Sequence, residues 1–465
     1  MTRKNILFLY SRIPSFTNAV RDYVNAFGQH SANQIHYFDT DSGPLEFDLR
    51  AFDAIIFNYC FWARRSSFTT KMIACVAAYS GPKIAIFQDE QDTIRWHRQH
   101  VVSMGIRAIV TVVDPEVWRA ALPADFFRDL IFLRALTGYL PEQNAFSGIV
   151  TLPMAERRWW IGYRGRPIPY QYGRLTREKF VIGERMRKIC EARHIPNNIF
   201  TAEEDRLYDE AWYDLISNSR LMLGTESGTD IFDFEGGLWE RVDAWRKLHP
   251  QASFEEVEEK FLSGIEKIAA NQISPRLFEA IALRTGLLLF EGEYSGVLTP
   301  WTHYISLKKD FSNIDEVLAA ADDLAGIDAM VERTWRDVVL SGKYSFSAYV
   351  KCVDDLIVRM HPGVLGRVAL WGLVGWRENA NSAATQLPGQ RLQTPTTEPL
   401  RHFDHIPDPV VIFRINWGAL HRAVMRRYES VLYSPLGRKC KAYLQSNALV
   451  YAVARKCVRL LTGRW

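Results

Sequence analysis

Arg276 and Glu279 sit three residues apart in Ser274-Pro-Arg-Leu-Phe-Glu-Ala-Ile-Ala-Leu-Arg-Thr-Gly286, which runs into the apolar Leu287-Leu-Leu-Phe290. Pro275 suits the first turn of a helix. Leu277, Phe278, Ile281 and Ala282 give that helix an apolar face, and Gly286 falls where a helix ends with positive φ. A buried strand follows. In an open α/β sheet, first-turn side chains of this kind face the ligand crevice, where a guanidinium suits a diphosphate and a carboxylate suits a ribose diol.

Other clusters carry chemistry of their own. Gln88-Asp89-Glu90-Gln91-Asp92 follows an apolar run and has Arg95 and His97 nearby. Asp89, Glu90, Asp92 and His97 are therefore candidates for a general base, against the plainer reading of a solvated loop with Asp89 or Asp92 capping the next helix. Arg164-Gly-Arg166 closes the apolar Trp160-Ile-Gly-Tyr163, and a flexible backbone beside two cations makes an anion site. Lys179 lies in the helix opened by Gly173-Arg-Leu-Thr-Arg-Glu, while Glu226 and Ser227 lie in a small-residue loop after Arg220-Leu-Met-Leu-Gly224 that lets a ligand approach the backbone. Asp230, Asp233 and Glu235 form an acidic run read as structural or acceptor-side. The cysteines at 60, 75, 190, 352, 440 and 457 form no Cys-x-x-Cys and no Cys/His pairing, so neither a zinc site nor a disulfide framework is indicated.

The elements that must position these groups alternate. Ile6 to Tyr10, Ala54 to Tyr59, Lys83 to Phe87 and Ala108 to Val113 are apolar runs, each followed by polar residues and helical spacing, which argues for a parallel sheet covered on both faces. No Gly-x-Gly-x-x-Gly follows the first run, which disfavours a conventional dinucleotide site but not a Rossmann-like sheet. The pattern breaks after Leu140-Pro141, and a second domain begins near Trp159. Phe254 to Leu262 reads as an acidic amphipathic helix. Ser345 to Arg359 reads as a closing helix that returns toward the first domain.

The helix with Arg-x-x-Glu-Ala before a glycine and an apolar strand resembles the donor-site signature of GT-B glycosyltransferases. His303 to Asn313 and the helical Ile314-Asp-Glu-Val-Leu-Ala resemble the next strand, loop and helix of that family. The resemblance spans roughly residues 155 to 355 by motif order and 5 to 140 by pattern only. It implies an α/β GT-B fold: an acceptor domain over 1–150, a nucleotide-sugar donor domain over 155–345, closing helices over 346–376, a linker over 377–402 and a basic helical tail over 403–465. It further implies that Arg164, Arg166 or Arg174, with Lys179, grips the donor diphosphate without a metal, that Glu226, Ser227, Arg276 and Glu279 contact the donor, and that no organic cofactor is needed. Sugar would pass to a hydroxyl of a glycan or lipid-linked acceptor, with bacterial surface-polysaccharide assembly as the setting. One departure matters. In the best-known retaining families two glutamates lie eight positions apart, and counting back eight from Glu279 gives Asn271. Retention does not carry over, inversion stays open, and a non-catalytic nucleotide-sugar or glycan-binding scaffold is the competing class.

Composition frames this reading. At 465 residues the chain is long for one core, and 48% hydrophobic with 24% charged residues describes a globular protein. The net charge of +4 does not by itself imply nucleic acid. No apolar run reaches the roughly 18 residues of a membrane span, so a cytoplasmic enzyme is expected. Basicity is local: residues 411–465 hold eleven Lys/Arg and one acid, Glu429, for about +10, leaving about −6 elsewhere. Leu420, Val424, Leu444, Tyr451 and Val458 alternate there with Arg422, Arg426, Arg427, Arg455 and Lys456, as in a helix lying on the anionic inner face of a membrane. At about 1 kcal/mol per cation near the surface, the full chain should co-sediment with anionic vesicles in a salt-sensitive way. Truncation at Pro409 should abolish this, and equal sedimentation of the truncated chain would refute it.

Overall fold

A computed structural model describes residues 3–15, 17–62, 68–92, 94–140, 146, 148–360 and 370–371. Residues 361–369 and 372–376 of the closing segment expected over 346–376, together with the linker and the basic tail, lie outside the described residues.

Two wholly parallel sheets organise the described chain. The first is built from β1 (Asn5–Tyr10), β2 (Gln34–Asp39), β3 (Ala54–Phe57), β4 (Lys83–Ile86), β5 (Ala108–Thr111), β6 (Ile131–Arg134) and β12 (Leu370–Trp371), in the order β12-β6-β5-β4-β3-β1-β2. The second contains β7 (Trp159–Arg164), β8 (Asn197–Phe200), β9 (Ser219–Gly224), β10 (Gly286–Phe290) and β11 (Ile305–Leu307), in the order β11-β10-β9-β7-β8. Central strands such as β3 and β10 are buried along their whole length because helices cover both faces, so they read as continuous apolar runs. The expected fold class is observed: two Rossmann-like α/β domains in the GT-B arrangement. Residues 370–371, expected among closing helices, instead form a strand that pairs Leu370 with Phe132 and Trp371 with Leu133. This extends the first sheet beyond β6.

In each sheet the strand order reverses beside the first strand of the domain, between β1 and β3 and between β7 and β9. Loops on either side of such a reversal diverge and leave a crevice at the carboxyl ends of the strands. Beside the first crevice, the carboxyl ends of β1 and β2 are tied to each other. Arg12 pairs with Asp39 at 3.2 Å and the Ser11 hydroxyl donates to Asp41 at 2.6 Å.

The halves are tied by the Phe346–Met360 helix, which lies on the Asn18–His30 helix of the first domain. Tyr23 and Tyr349 share a hydroxyl hydrogen bond, Tyr139 stacks on Tyr349 at 4.5 Å, and Asp354 accepts from Ser31 Oγ and Ala32 N, each at 2.8 Å. The Ser274 segment is drawn against the first domain as well. Thr137 Oγ1 donates to the Ile273 carbonyl, and Gly138 passes so close that a Cβ there would stand 2.8 Å from the Pro275 ring.

The end of the Pro275–Ala282 helix differs from expectation. The positive φ falls on Arg284 (51°), whose guanidinium pairs with Glu332 and lies 4.1 Å from the Trp335 ring centroid. Gly286 already belongs to β10, and its need is for space: a Cβ would stand 2.7 Å from Leu221 Cδ2 and 3.0 Å from the Arg220 carbonyl oxygen of β9. Gly286→Ala is therefore expected to cost about 1–3 kcal/mol in urea denaturation through overpacking. Gly264→Ala, where a Cβ meets nothing within 4 Å, should stay within about 0.5 kcal/mol.

Candidate active site

The crevice of the second sheet gathers cations. Lys179 projects from the Arg174–Ala192 helix and donates to Ser227 Oγ at 3.0 Å. Ser227 is fixed by paired backbone hydrogen bonds with Gln272, 2.7 Å and 2.9 Å long. Arg276 stands in the first turn of the Pro275–Ala282 helix, donates to the Arg164 carbonyl at 2.7 Å and lies over the Trp212 ring, 5.1 Å from its centroid. Burial pushes Lys179 down to about 8. Arg276 and Arg166 push the same way, and Asp89 opposes them. Arg276 is exposed to solvent at the mouth of the crevice, yet the protein packed around it still lowers it. Among the described residues, neither Lys179 nor Arg276 is in a direct ion pair; Asp89 and Glu279 act on them only from a distance.

The backbone is cut to fit these groups. A Cβ on Gly165 would stand 2.6 Å from the Tyr163 ring and 2.9 Å from the Lys179 carbonyl oxygen, which itself accepts from Tyr163 Oη at 2.6 Å. Only glycine lets the chain after β7 pass this close to the helix that carries Lys179.

The other expected donor residues are placed differently. The Arg164 guanidinium turns to the sheet edge, donating to the Asn198 carbonyl at 2.9 Å and to its side-chain oxygen at 2.8 Å, and lies over Phe200. Its carbonyl, rather than its charge, reaches the crevice, through Arg276. Arg166 is exposed and only loosely paired with Glu203, at 3.8 Å. Arg174 is bound to Glu258 on the surface. Glu226 is buried, accepting from Asn271 Nδ2 at 2.6 Å and from the Tyr294 amide at 2.8 Å. It braces the loop after β10. Asp230 accepts from the Leu175 amide at 3.4 Å at the start of the Lys179 helix, and Asp233 accepts from the Gly236 and Leu238 amides at 2.8 Å each. Both acids serve helix starts, the structural option read from the sequence.

Glu279 is 8% exposed and takes the Trp212 indole N–H at 2.7 Å. Burial raises it to about 7, against the hydrogen bond from Trp212 and the charge of Arg276, while the negative charge of Asp22 adds to the rise. Asp22, on the Asn18–His30 helix of the first domain, is itself raised to about 6 by burial, with Arg21 opposing. A carboxyl of the first domain thus acts electrostatically on one of the second. Asp22 escaped the sequence reading. Its only signal is an acid set among Val20, Tyr23, Val24 and Phe27 on a helix that buries its aromatic face. Trp212, one of fourteen tryptophans, gives no such signal.

Of the four candidate bases, Asp89 alone is exposed among those whose side chains are described. It follows β4, carries a positive φ of 55° and acts electrostatically on Lys179 across the cleft. Glu90 is fully buried, accepts from Thr111 Oγ1 and is raised to about 7 by burial. His97 is buried between the rings of Trp62, Phe87 and Trp96. Neither faces an incoming hydroxyl. The side chain of Asp92 is outside the described set. No three His, Cys, Asp or Glu side chains among the described residues are grouped to hold a metal, and no described helix is long and apolar enough to cross a membrane.

Neither a scan of protein-family models nor a comparison with curated proteins finds a match. Among solved structures, the chain is similar to an α-glucosyltransferase in complex with UDP and a 13-mer DNA, at 8% identity and a TM-score of 0.45 over 77% of this chain and 100% of that one. It is also similar to a DNA-modifying β-glucosyltransferase at 10% identity and 0.44 (76% and 99%), and to HepE of Anabaena in complex with UDP and glucose at 10% and 0.38 (77% and 100%). None of the three reaches a TM-score of 0.5, and the fold assignment rests on strand order.

The raised Glu279 has a pH signature. A carboxyl that is raised on folding contributes stability in full below its unfolded value, about 4.5, and loses it as pH climbs through about 7. Glu279→Gln keeps an acceptor for Trp212 and carries no charge. Its stability relative to wild type should therefore rise by about 3 kcal/mol between pH 4.5 and 8, read from thermal melts. A constant difference across that range would show that Glu279 ionises freely.

Proposed function

We propose that this chain is a glycosyltransferase that moves a sugar from a nucleotide-diphosphate donor to a hydroxyl of a glycan or lipid-linked acceptor in cell-surface polysaccharide synthesis. The observation that carries the reading is the pair Lys179 and Arg276, held at the strand-order reversal of the second sheet with no direct ion pair among the described residues. A diphosphate supplies the missing negative charge. As the bond from the sugar carbon to the diphosphate oxygen breaks, its electron pair leaves with the diphosphate, and Lys179, Arg276 and the exposed Arg166 stabilise the growing charge without a metal. The acceptor oxygen bonds to the sugar carbon, and Asp89 takes its proton from the opposite wall of the cleft. Glu279, beside Arg276, is assigned to the ribose hydroxyls. The site is proposed to work in the cytoplasm at the inner membrane face.

A second reading, donor binding without turnover, draws support from the burial of Glu90 and His97, which leaves few bases facing the cleft. Incubation with a panel of nucleotide sugars separates the two by release of UDP, GDP or CMP. On the enzymatic reading, Asp89→Asn lowers turnover by about 100-fold or more with little change in donor affinity. Arg276→Ala lowers turnover more than affinity, because charge on the diphosphate grows toward the transition state. Donor binding with no release from any sugar would leave the scaffold reading standing.

A further inference from the structure

Between β9 and β10 the second domain carries an additional helical lobe that the donor site does not use. Its Leu238–Leu248 helix and the following 254–262 turns have their own small core of Ile231, Leu238, Val242, Phe254, Val257 and Leu262. One face of this lobe stands opposite the Ile94–Ser103 helix of the first domain, and the two enclose an open cavity of about 550 Å³. That volume is in the range of small-molecule sites.

The lining is unusual for a surface gap. Trp239 is 46% exposed, and its ring stands 6.0 Å from that of Tyr172, inclined at 53°. Around these rings stand three primary amides, Gln91 and Gln99 from the first domain and Gln171 from the second. Each amide offers paired donors and an acceptor, which matches neighbouring hydroxyls on a sugar ring, while the aromatic faces suit its C–H surfaces. The charges point the same way. Arg95 is bound to the Glu235 carbonyl, Asp233 caps the Leu238 helix, and Glu240 adds an acid, so no surplus of cations awaits a phosphate chain.

The cavity adjoins the cationic crevice. Gln91 Nε2 donates to Asp89 Oδ1 at 3.5 Å, and Gln171 and Tyr172 are joined through Gly173 to the helix that carries Lys179. We infer that this cavity is a binding site for a neutral oligosaccharide, which stacks on Trp239 and Tyr172 and is fixed by the three glutamines. The inference rests on the proposed glycosyl transfer for its further consequence, that the bound chain presents a hydroxyl toward Asp89.

The test applies the full-length protein to an array of neutral and acidic oligosaccharides, with random-sequence duplex DNA as a separate arm. UDP binding is measured by calorimetry in the same preparations. Neutral oligosaccharides should be retained by wild type, retained at least tenfold less by Trp239→Ala, and partly regained by Trp239→Phe, with UDP affinity unchanged throughout. Retention of no neutral glycan, of DNA or acidic glycans alone, or equally by Trp239→Ala would overturn the inference. Absence of UDP binding in wild type would instead overturn the donor reading, while the array would still decide the cavity.

Discussion

Two cations without a direct carboxylate ion pair, the half-buried Lys179 and the exposed Arg276, set the terms for the rest of this structure. Lys179 loses solvent on folding and has Arg276 as a neighbour, and both effects push it down to about 8. The fold satisfies their protons without neutralising their charge: a serine hydroxyl takes the ammonium and a backbone carbonyl takes the guanidinium. Such donors keep a fixed direction while the field stays open for an anion.

Acids are ranged around these cations at a distance. Glu279 belongs to the same helix as Arg276, yet its oxygen is held by Trp212; Asp22 and Asp89 come from the other domain. The separation across the cleft depends on how the domains are joined. Asp354 binds the end of the Asn18–His30 helix, Gly138 lets the Pro275 turn approach, and the Tyr23–Tyr349 contact anchors the helix bearing Asp22. A helix near the end of the described chain thus sets the position of a carboxyl near its beginning.

What the sequence disclosed follows from how local each signal is. Central strands such as β3, β4, β5 and β10 are legible because burial on both faces leaves unbroken apolar runs. The edge strands β2 and β8 and the short β6 were not read. In β2 buried and half-buried residues alternate, and Asn197-Asn-Ile-Phe200 has too little apolar length to stand out. The Pro275 helix was legible down to its first residue, but its glycine was assigned to the wrong cause, because a close approach between strands leaves no trace in local sequence. Side-chain direction was the least legible. Arg164, Arg166 and Arg174 look alike as letters, while one is bound at a sheet edge, one stands exposed and one is paired on the surface.

The fate of position 271 bears on stereochemistry. A retaining arrangement with Glu279 as its second acid would require a carboxylate at 271, where Asn271 stands instead. A carboxylate nevertheless arrives there from another loop, since Glu226 accepts from Asn271 Nδ2 at 2.6 Å. It does not replace the missing acid in function. Its second oxygen holds the Tyr294 amide, a Cβ on Gly292 would run into it, and it is only 3% exposed. Glu226 therefore fixes the loop over the end of β10 and turns its charge inward. The exposed acid acting on Lys179 is Asp89, which comes from the domain assigned to the acceptor and is set by a backbone conformation that few residues other than glycine, asparagine and aspartate adopt readily. On the proposed chemistry, this exposed acid of the first domain is the group that takes the proton of an incoming hydroxyl.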